Sequence, residues 1–381
     1  MLFQWYLFFF LILLYALARV ANQRYEINQY GEYEGRYKWF TALAIIAVLT
    51  VVAAMRHERF IDTMAYIKNF LNADPSRDNI MRILNGNGKD KAFYILTCML
   101  RGLLGTHYRV YLGIIAGFCL LCLFSVYRRH SSSLFMTTFL FIASGEYVMW
   151  THNGIRQFIA VSMVFAATDL LLRRKYAAYI AVILIFGILP QAVVADIAEY
   201  DALETNENRS GMFYAARTFA FKLGQSIAML LVIMVLTTSV DVLNDLLLSF
   251  MENSQYSNDI DAVIATGGTN AFRVLVFAIP PVVAFFFRKQ IARLNIPIIN
   301  LSVNMSIVSI GIYIISMFTS GIYIGRLPVY FSLYNYILLP WMIDRFFEKY
   351  TAKFIHLCMI CSYMIYYYYQ MHIVWAEVTA L

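Results

Sequence analysis

Charge is scarce in this chain. Only 14% of its 381 residues are Asp, Glu, Lys or Arg, where a soluble domain carries about a quarter. With 61% hydrophobic residues and a mean hydropathy of +0.63, that shortage excludes an ordinary soluble protein. Cysteine is sparse too: Cys98, Cys119, Cys122, Cys358 and Cys361. The two C-x-x-C pairs have zinc-like spacing. Each lies in an apolar stretch with no His or carboxylate beside it, so they read as small packing residues and not as metal ligands or disulfides. Gly86-x-Gly88 and Gly267-Gly268 are turns that neither follow a strand nor open a phosphate-binding helix, which excludes a nucleotide site. No soluble basic module is present. The formal charge of +7 therefore reflects the positive-inside rule and not nucleic-acid binding. Residues 2–18 are apolar but lack a basic n-region and a small-residue cleavage site, and read as a first span rather than a signal peptide.

What is present is a series of runs near the roughly 20 apolar residues that cross a bilayer. The expected spans are 2–20, 38–55, 109–126, 132–150, 155–172, 176–195, 214–238, 270–287, 298–319, 327–345 and 354–372. The fold class is all-α, a polytopic helical membrane protein with about ten to eleven transmembrane helices and an outward-facing polar cavity. Trp5, Trp39, Trp150, Trp341 and Trp375 fall near span ends, as an aromatic belt would. Basic loops at 19–38, 127–130, 173–175, 288–293 and 344–353 go to the cytoplasm. The N-terminus and segments 56–108, 239–270 and 320–327 then lie outside. Segment 239–270 holds Asp241, Asp245, Glu252, Asp259 and Asp261 with no Lys or Arg. Within 56–108, residues 85–90 form a turn-rich break, and 91–104 has the spacing of an interfacial helix on the outer leaflet. The count of crossings conflicts between 176 and 288. Two cytoplasmic loops require an even number between them, and the spans 176–195, 214–238 and 270–287 are odd in number.

The most informative residues are Asn153, Gly154, Ile155, Arg156 and Gln157, between two apolar stretches. An Arg entering a lipid-facing helix costs roughly several kcal/mol unless it sits at a rim or in a polar cavity. A permanent guanidinium held there suits phosphate or pyrophosphate, which lipid-linked sugars supply.

Two segments resemble the EpsG family of exopolysaccharide polymerases, related in role to the Wzy polymerases. One is M-R-H-E-R-F-I-D-T-M-A-Y at 55–66, with Arg56, Arg59, Asp62 and Tyr66. The other is N-G-I-R-Q at 153–157, opening a span that ends in R-R-K. R-L-P-V-Y-F at 326–331 is a third, weaker match. Residues 187–230 instead resemble a helix–loop–helix of melibiose-permease-like sugar–cation symporters. They carry P-x-x-x-x-A-D-I-x-E-Y and F-x-x-K-L-G-Q, where the EpsG pattern leads one to expect a His. That stretch reads as a graft, natural or engineered, with a divergent natural loop as the alternative. The domain organisation is then a bundle over 1–186 with its external segment, the insert 187–230, and a bundle over 231–381. A spliced hairpin of this kind would suit an antibody-type binder at 196–217.

The resemblance implies a polymerase joining undecaprenyl-pyrophosphate-linked repeat units into exopolysaccharide or capsule at the outer face of a bacterial cytoplasmic membrane. It implies a lipid-linked glycan donor and acceptor, membrane lipid, and a chain-length regulator and flippase as partners. No metal or other cofactor is demanded by the sequence. Cations that neutralise the leaving pyrophosphate would assist departure, and the acceptor hydroxyl needs a base. Arg56, Arg59, Arg156 and Arg326 are the candidate cations, each with an alternative as an interfacial Arg snorkelling to headgroups. Asp62 leads as base, because a helical 56–66 would put it on one face with Arg59; a plain salt bridge is the alternative. Glu146 and His152 are further acid–base candidates. Asn153 and Gln157 would hydrogen-bond sugar or phosphate, although Asn153 equally suits a helix cap. Tyr66 and Tyr330 would stack on sugar rings, or simply pack. Rival readings are an O-antigen ligase or other polyprenyl-phosphate-dependent transferase, and a transporter, either a sugar–cation symporter or a lipid-linked glycan exporter. The first two spans hold no Asp or Glu, which removes the carboxylates a symporter needs there.

Overall fold

A computed structural model describes residues 24–27, 33–36, 39–58, 60, 62–85, 91–186, 268–318 and 324–374. The expected spans 2–20 and 214–238, the segment 187–230 with its loop 196–217, and Arg59 lie outside the described residues. The described chain is helical apart from a two-stranded antiparallel hairpin, β1 (Arg24–Ile27) and β2 (Tyr33–Arg36), in register from Arg24 opposite Arg36 to Ile27 opposite Tyr33. The chain is an all-α membrane protein. Among the described residues three helices are long and apolar enough to cross a bilayer: Tyr108–His130, Ile155–Leu172 and Pro297–Met317. A fourth crossing arises if Ala271–Phe286 and Arg288–Leu294, bent by 71°, form one broken span. Shorter apolar helices accompany them.

Two compact units divide the chain: Met1–Leu189 with Phe347–Leu381, and Pro190–Phe346. The first unit is built on α1 (Trp39–Ala54), α2 (Thr63–Leu71), α3 (Arg77–Asn85), α4 (Lys91–Leu104), α5 (Tyr108–His130) and α6 (Leu134–Ala143). It continues through α7 (Ile155–Ala166) and α8 (Tyr176–Phe186). Helices α1 and α5 run antiparallel. At one end the Arg128 guanidinium lies 4.6 Å over the Trp39 ring. Towards the other, Gly113 and Gly117 leave only enough room for Ala54 and Thr50, whose side-chain atoms lie 3.2–3.4 Å from where a Cβ would be. Small residues spaced four apart let helices approach closely in a membrane, where apolar burial alone gives little net attraction. Helix α7 runs parallel to α5, with Tyr127 against Phe165 at 5.2 Å between ring centroids near the C-terminal ends of both.

The expected single span over 132–150 is broken. Ser133 caps α6, its Oγ accepting from the Met136 amide at 3.3 Å, but α6 ends at Ala143. Gly145 adopts φ +80°, a conformation that glycine enters without a Cβ clash and that no helix continues through. A short turn, Glu146–Val148, leads into a π-helical turn, Met149–Asn153. Helix α5, by contrast, runs past the expected end at 126 to His130. Its basic end is held by Asp169 rather than released into a loop, with Arg129 and His130 both paired to that carboxylate.

The second unit contains α9 (Ala271–Phe286), α10 (Pro297–Met317) and α11 (Asn335–Phe346). Asn270 caps α9, its Oδ1 accepting from the Phe272 amide at 2.8 Å. Pro280 and Pro281 sit inside α9, where a missing N–H and a ring clash weaken the ladder. Pro297 opens α10 at a position where no amide is needed. The expected span 327–345 is two pieces, Val329–Ser332 and α11. Buried Ser302, Ser306, Ser309 and Ser316 form one face of α10, the polar contacts that join helices in lipid. The final helix, α12 (Lys349–Tyr369), belongs to the first unit and packs on α6.

Candidate functional site

Arg56 follows the end of α1 and is 9% exposed. Its Nη1 donates to the carbonyl of Thr151. Its Nε and Nη2 are buried and have no hydrogen-bond partner among the described residues. Tyr66 from α2, Tyr111 from α5 and Tyr147 from the turn after Gly145 surround it as electrostatic neighbours. Burial lowers the Arg56 pKa to about 10, which still leaves the group charged near neutral pH. A buried cation with no carboxylate partner among the described residues is expensive, and an incoming anion would compensate it.

The segment across from Arg56 is fixed by its own bonds. Tyr147 donates through its hydroxyl to the Leu49 carbonyl at 2.6 Å, tying the turn to α1. Thr151 donates through Oγ1 to the Tyr147 carbonyl at 2.6 Å and meets His152 Nδ1 at 2.8 Å. His152 is buried, with its ring edge-on to Phe60 and Tyr147 at 5.6 and 5.5 Å. Burial first, and the Arg56 charge second, push its pKa well below the usual imidazole value, so the ring is neutral. Asn153 is 6% exposed, and its Oδ1 has no hydrogen-bond partner among the described residues. Gly154 is required by a close approach: a Cβ there would lie 2.6 Å from the Trp150 ring. Arg156, in the first turn of α7, shares Tyr111 with Arg56 as an electrostatic neighbour. Gln157 is half-buried beside it.

The structure therefore gathers Arg56, Tyr66, His152, Asn153 and Arg156 at one end of the first unit. Asp62 stands differently. The helix begins at Thr63, so Asp62 precedes the helix on which it would share a face with Arg59. Asp62 occupies the N-cap position without a side-chain cap bond and is exposed. Glu146 is fully buried and accepts from Trp150 Nε1. Trp150, expected in an interfacial belt, is buried as well.

In the second unit Arg326 closes a 3-10 turn, Ile324–Arg326, and Tyr330 follows in Val329–Ser332. Both are half-buried. Chain segments meet closely there. Ser316 Oγ donates to Thr269 Oγ1 at 2.7 Å, and a Cβ on Gly325 would lie 2.7 Å from that Thr269 oxygen. Arg273 of α9 lies 5.5 and 5.7 Å from the ring centres of Phe277 and Tyr313.

The sequence model of the EpsG family matches residues 39–377. The chain belongs to the EpsG family. It is a membrane protein of the exopolysaccharide-polymerase type. No curated protein and no solved structure matches it. In this EpsG chain the sequence reading missed Tyr111, Tyr147 and Thr151. Thr151 adjoins the H-N-G-I-R-Q run and carried a positional signal. Tyr111 and Tyr147 are two of 28 tyrosines and carried none, because their role depends on contacts far apart in the chain. Of the four tyrosines 366–369, Tyr366 and Tyr367 are buried and Tyr368 is exposed.

Proposed function

We propose that this EpsG protein joins undecaprenyl-pyrophosphate-linked oligosaccharide repeat units into exopolysaccharide or capsule at the external face of the cytoplasmic membrane. The observation that carries this reading is the Arg56 guanidinium, buried and charged, with Nε and Nη2 unpartnered among the described residues. Its known holder is a neutral carbonyl. Such a group favours a ligand that brings negative charge, and in a low dielectric the attraction is large. Pyrophosphate matches the fork of a guanidinium, and Arg156, which shares Tyr111 as an electrostatic neighbour, adds a second cation.

In the transfer, the acceptor hydroxyl oxygen bonds to the anomeric carbon of the donor. The carbon–oxygen bond to pyrophosphate breaks, and its electron pair leaves with the polyprenyl pyrophosphate. Arg56 and Arg156 stabilise the charge that grows on the departing oxygen. The hydroxyl proton needs an acceptor. Of Asp62, Glu146 and His152, the neutral His152 stands in the wall around Arg56 and fits that role. The open Asn153 Oδ1 accepts from a sugar hydroxyl, and Gln157 and Tyr66 complete the glycan contacts. Arg326 and Tyr330, in the second unit, are proposed as substrate-binding residues in their own right.

The test is glycan length in a producing host together with native mass spectrometry of the purified protein. Arg156→Ala should abolish elongation while leaving folded protein in detergent, and should lose the bound polyprenyl-pyrophosphate species. Normal polymer length in that variant would sink the assignment. Transfer of finished glycan to a different acceptor, with no elongation, would favour the ligase reading.

A further inference from the structure

An apolar groove of about 630 Å³ runs along the α1–α5 pair. Its floor is the close contact already described, Gly113 and Gly117 against Ala54 and Thr50. One wall is a stripe of exposed side chains on α5: Val110, Ile114, Phe118 and Leu121. These recur every three or four residues, so they line a single face of the helix. Arg109, in the first turn of α5, is the one charged residue of the lining and stands at the groove's mouth. From Arg109 to Leu121 the helix rises about 18 Å. Ala54, at the same mouth, is two residues before Arg56.

We propose that this groove seats the isoprenoid chain of the polyprenyl-pyrophosphate carrier, with the pyrophosphate held at the mouth between Arg109 and Arg56. The inference rests on the pyrophosphate reading of the Arg56 site and adds a separate subsite to it. Three features of the groove select this occupant. The lining is almost wholly apolar, as a hydrocarbon chain requires. Its only charge is positive and lies at one end, matching a ligand with a single anionic head. The groove follows one helix pair, and Ala54 at its mouth is two residues from Arg56 along the chain, which suits one long chain attached to one pyrophosphate. Burying that chain would add binding in proportion to the length covered.

The test compares undecaprenyl pyrophosphate with dimethylallyl pyrophosphate, whose chain is too short to pass the first turn of the groove. Binding is measured on the full-length protein in nanodiscs. The wild type should bind the long ligand at least tenfold more tightly. Ile114→Trp, which fills the groove from an exposed position, should weaken the long ligand about tenfold and leave the short one unchanged. Arg56→Ala should weaken both. Equal effects of Ile114→Trp on both ligands, or none on either, would overturn the groove and leave the pyrophosphate site standing. Unchanged binding of both ligands in Arg56→Ala would instead overturn the Arg56 site. A photo-crosslinking residue at position 118 gives a second measure that does not depend on a filled groove. Capture of the polyprenyl ligand supports the proposal, while capture only of phospholipid, or only of residues 2–20 of the same chain, overturns it.

Discussion

The two ends of α5 treat arginine in opposite ways. At the His130 end, Arg129 donates through Nε to the Ser125 carbonyl at 2.7 Å and pairs with Asp169, which also meets His130 Nε2 at 3.1 Å. Arg128 stacks on Trp39. At the Tyr108 end, Arg56 is held by one carbonyl and walled by tyrosines. The first arrangement is what a fold does with cations it must keep near a membrane rim: it supplies a carboxylate, a carbonyl or an aromatic face. The second leaves donors open at a stability cost, and residues kept at such a cost mark function. Arginine content alone does not separate the two ends; partner content does.

The contrast is broken most directly at Arg56. Arg56→Leu should reduce polymer elongation by at least a hundredfold, read as glycan length per folded protein. Thermal stability should hold or rise, because an uncompensated buried charge is replaced by an apolar side chain. A loss of both activity and stability would make Arg56 a structural residue like Arg129.

Gly154→Ala should lower stability by about 1–3 kcal/mol, since the new methyl meets the Trp150 ring. That ring cannot easily yield, because its Nε1 donates to Glu146. Thermal unfolding in detergent reads the loss. At the opposite end, Asp169→Ala should cost about 1–2 kcal/mol. The Arg129 and Asp169 side chains are 27% and 20% exposed, which keeps the loss below that of a fully buried pair. Elongation per folded protein should stay near the wild-type value, the reverse of the Arg56 result.

The smallest effect is a pH slope. His152 is held neutral, with a folded pKa below the unfolded value of about 6.5. Below that pH the unfolded chain binds a proton that the folded one refuses. The stabilising difference is therefore present above about pH 6.5 and lost as the pH falls, by at most about 1.4 kcal/mol per unit. His152→Phe should flatten that slope in unfolding measured across pH 4.5 to 7.5.

Much of the helical scaffold was legible because apolar run length is a local property. The run at 38–55 gave Trp39–Ala54, that at 298–319 gave Pro297–Met317, and the helix expected over 91–104 appears with those bounds. The break at Gly145 was not legible, since one glycine in an apolar run has the same composition whatever its φ. The extension of α5 through Arg128 and Arg129 was hidden for a related reason: basic residues look like a loop until Asp169, about 40 residues on, is seen to hold them. At the candidate site, Arg56, His152, Asn153 and Arg156 were legible as polar residues where lipid forbids them. The tyrosine walls were not, because tyrosine is ordinary at every position where it occurs here. The helix that would have set Asp62 on a common face starts only at Thr63, and Arg59 lies outside the described residues.

The carbonyl that holds Arg56 belongs to a residue of the π-helical turn, and it carries no charge. On the proposed reading, this makes turnover an anion-exchange cycle. A carboxylate anchor would compete with each incoming pyrophosphate and neutralise the guanidinium between visits. A neutral anchor does neither: it aims the cation without cancelling it. When one spent carrier leaves, the site is again a bare positive centre in an apolar surround, and the most stabilising event open to it is the arrival of the next carrier.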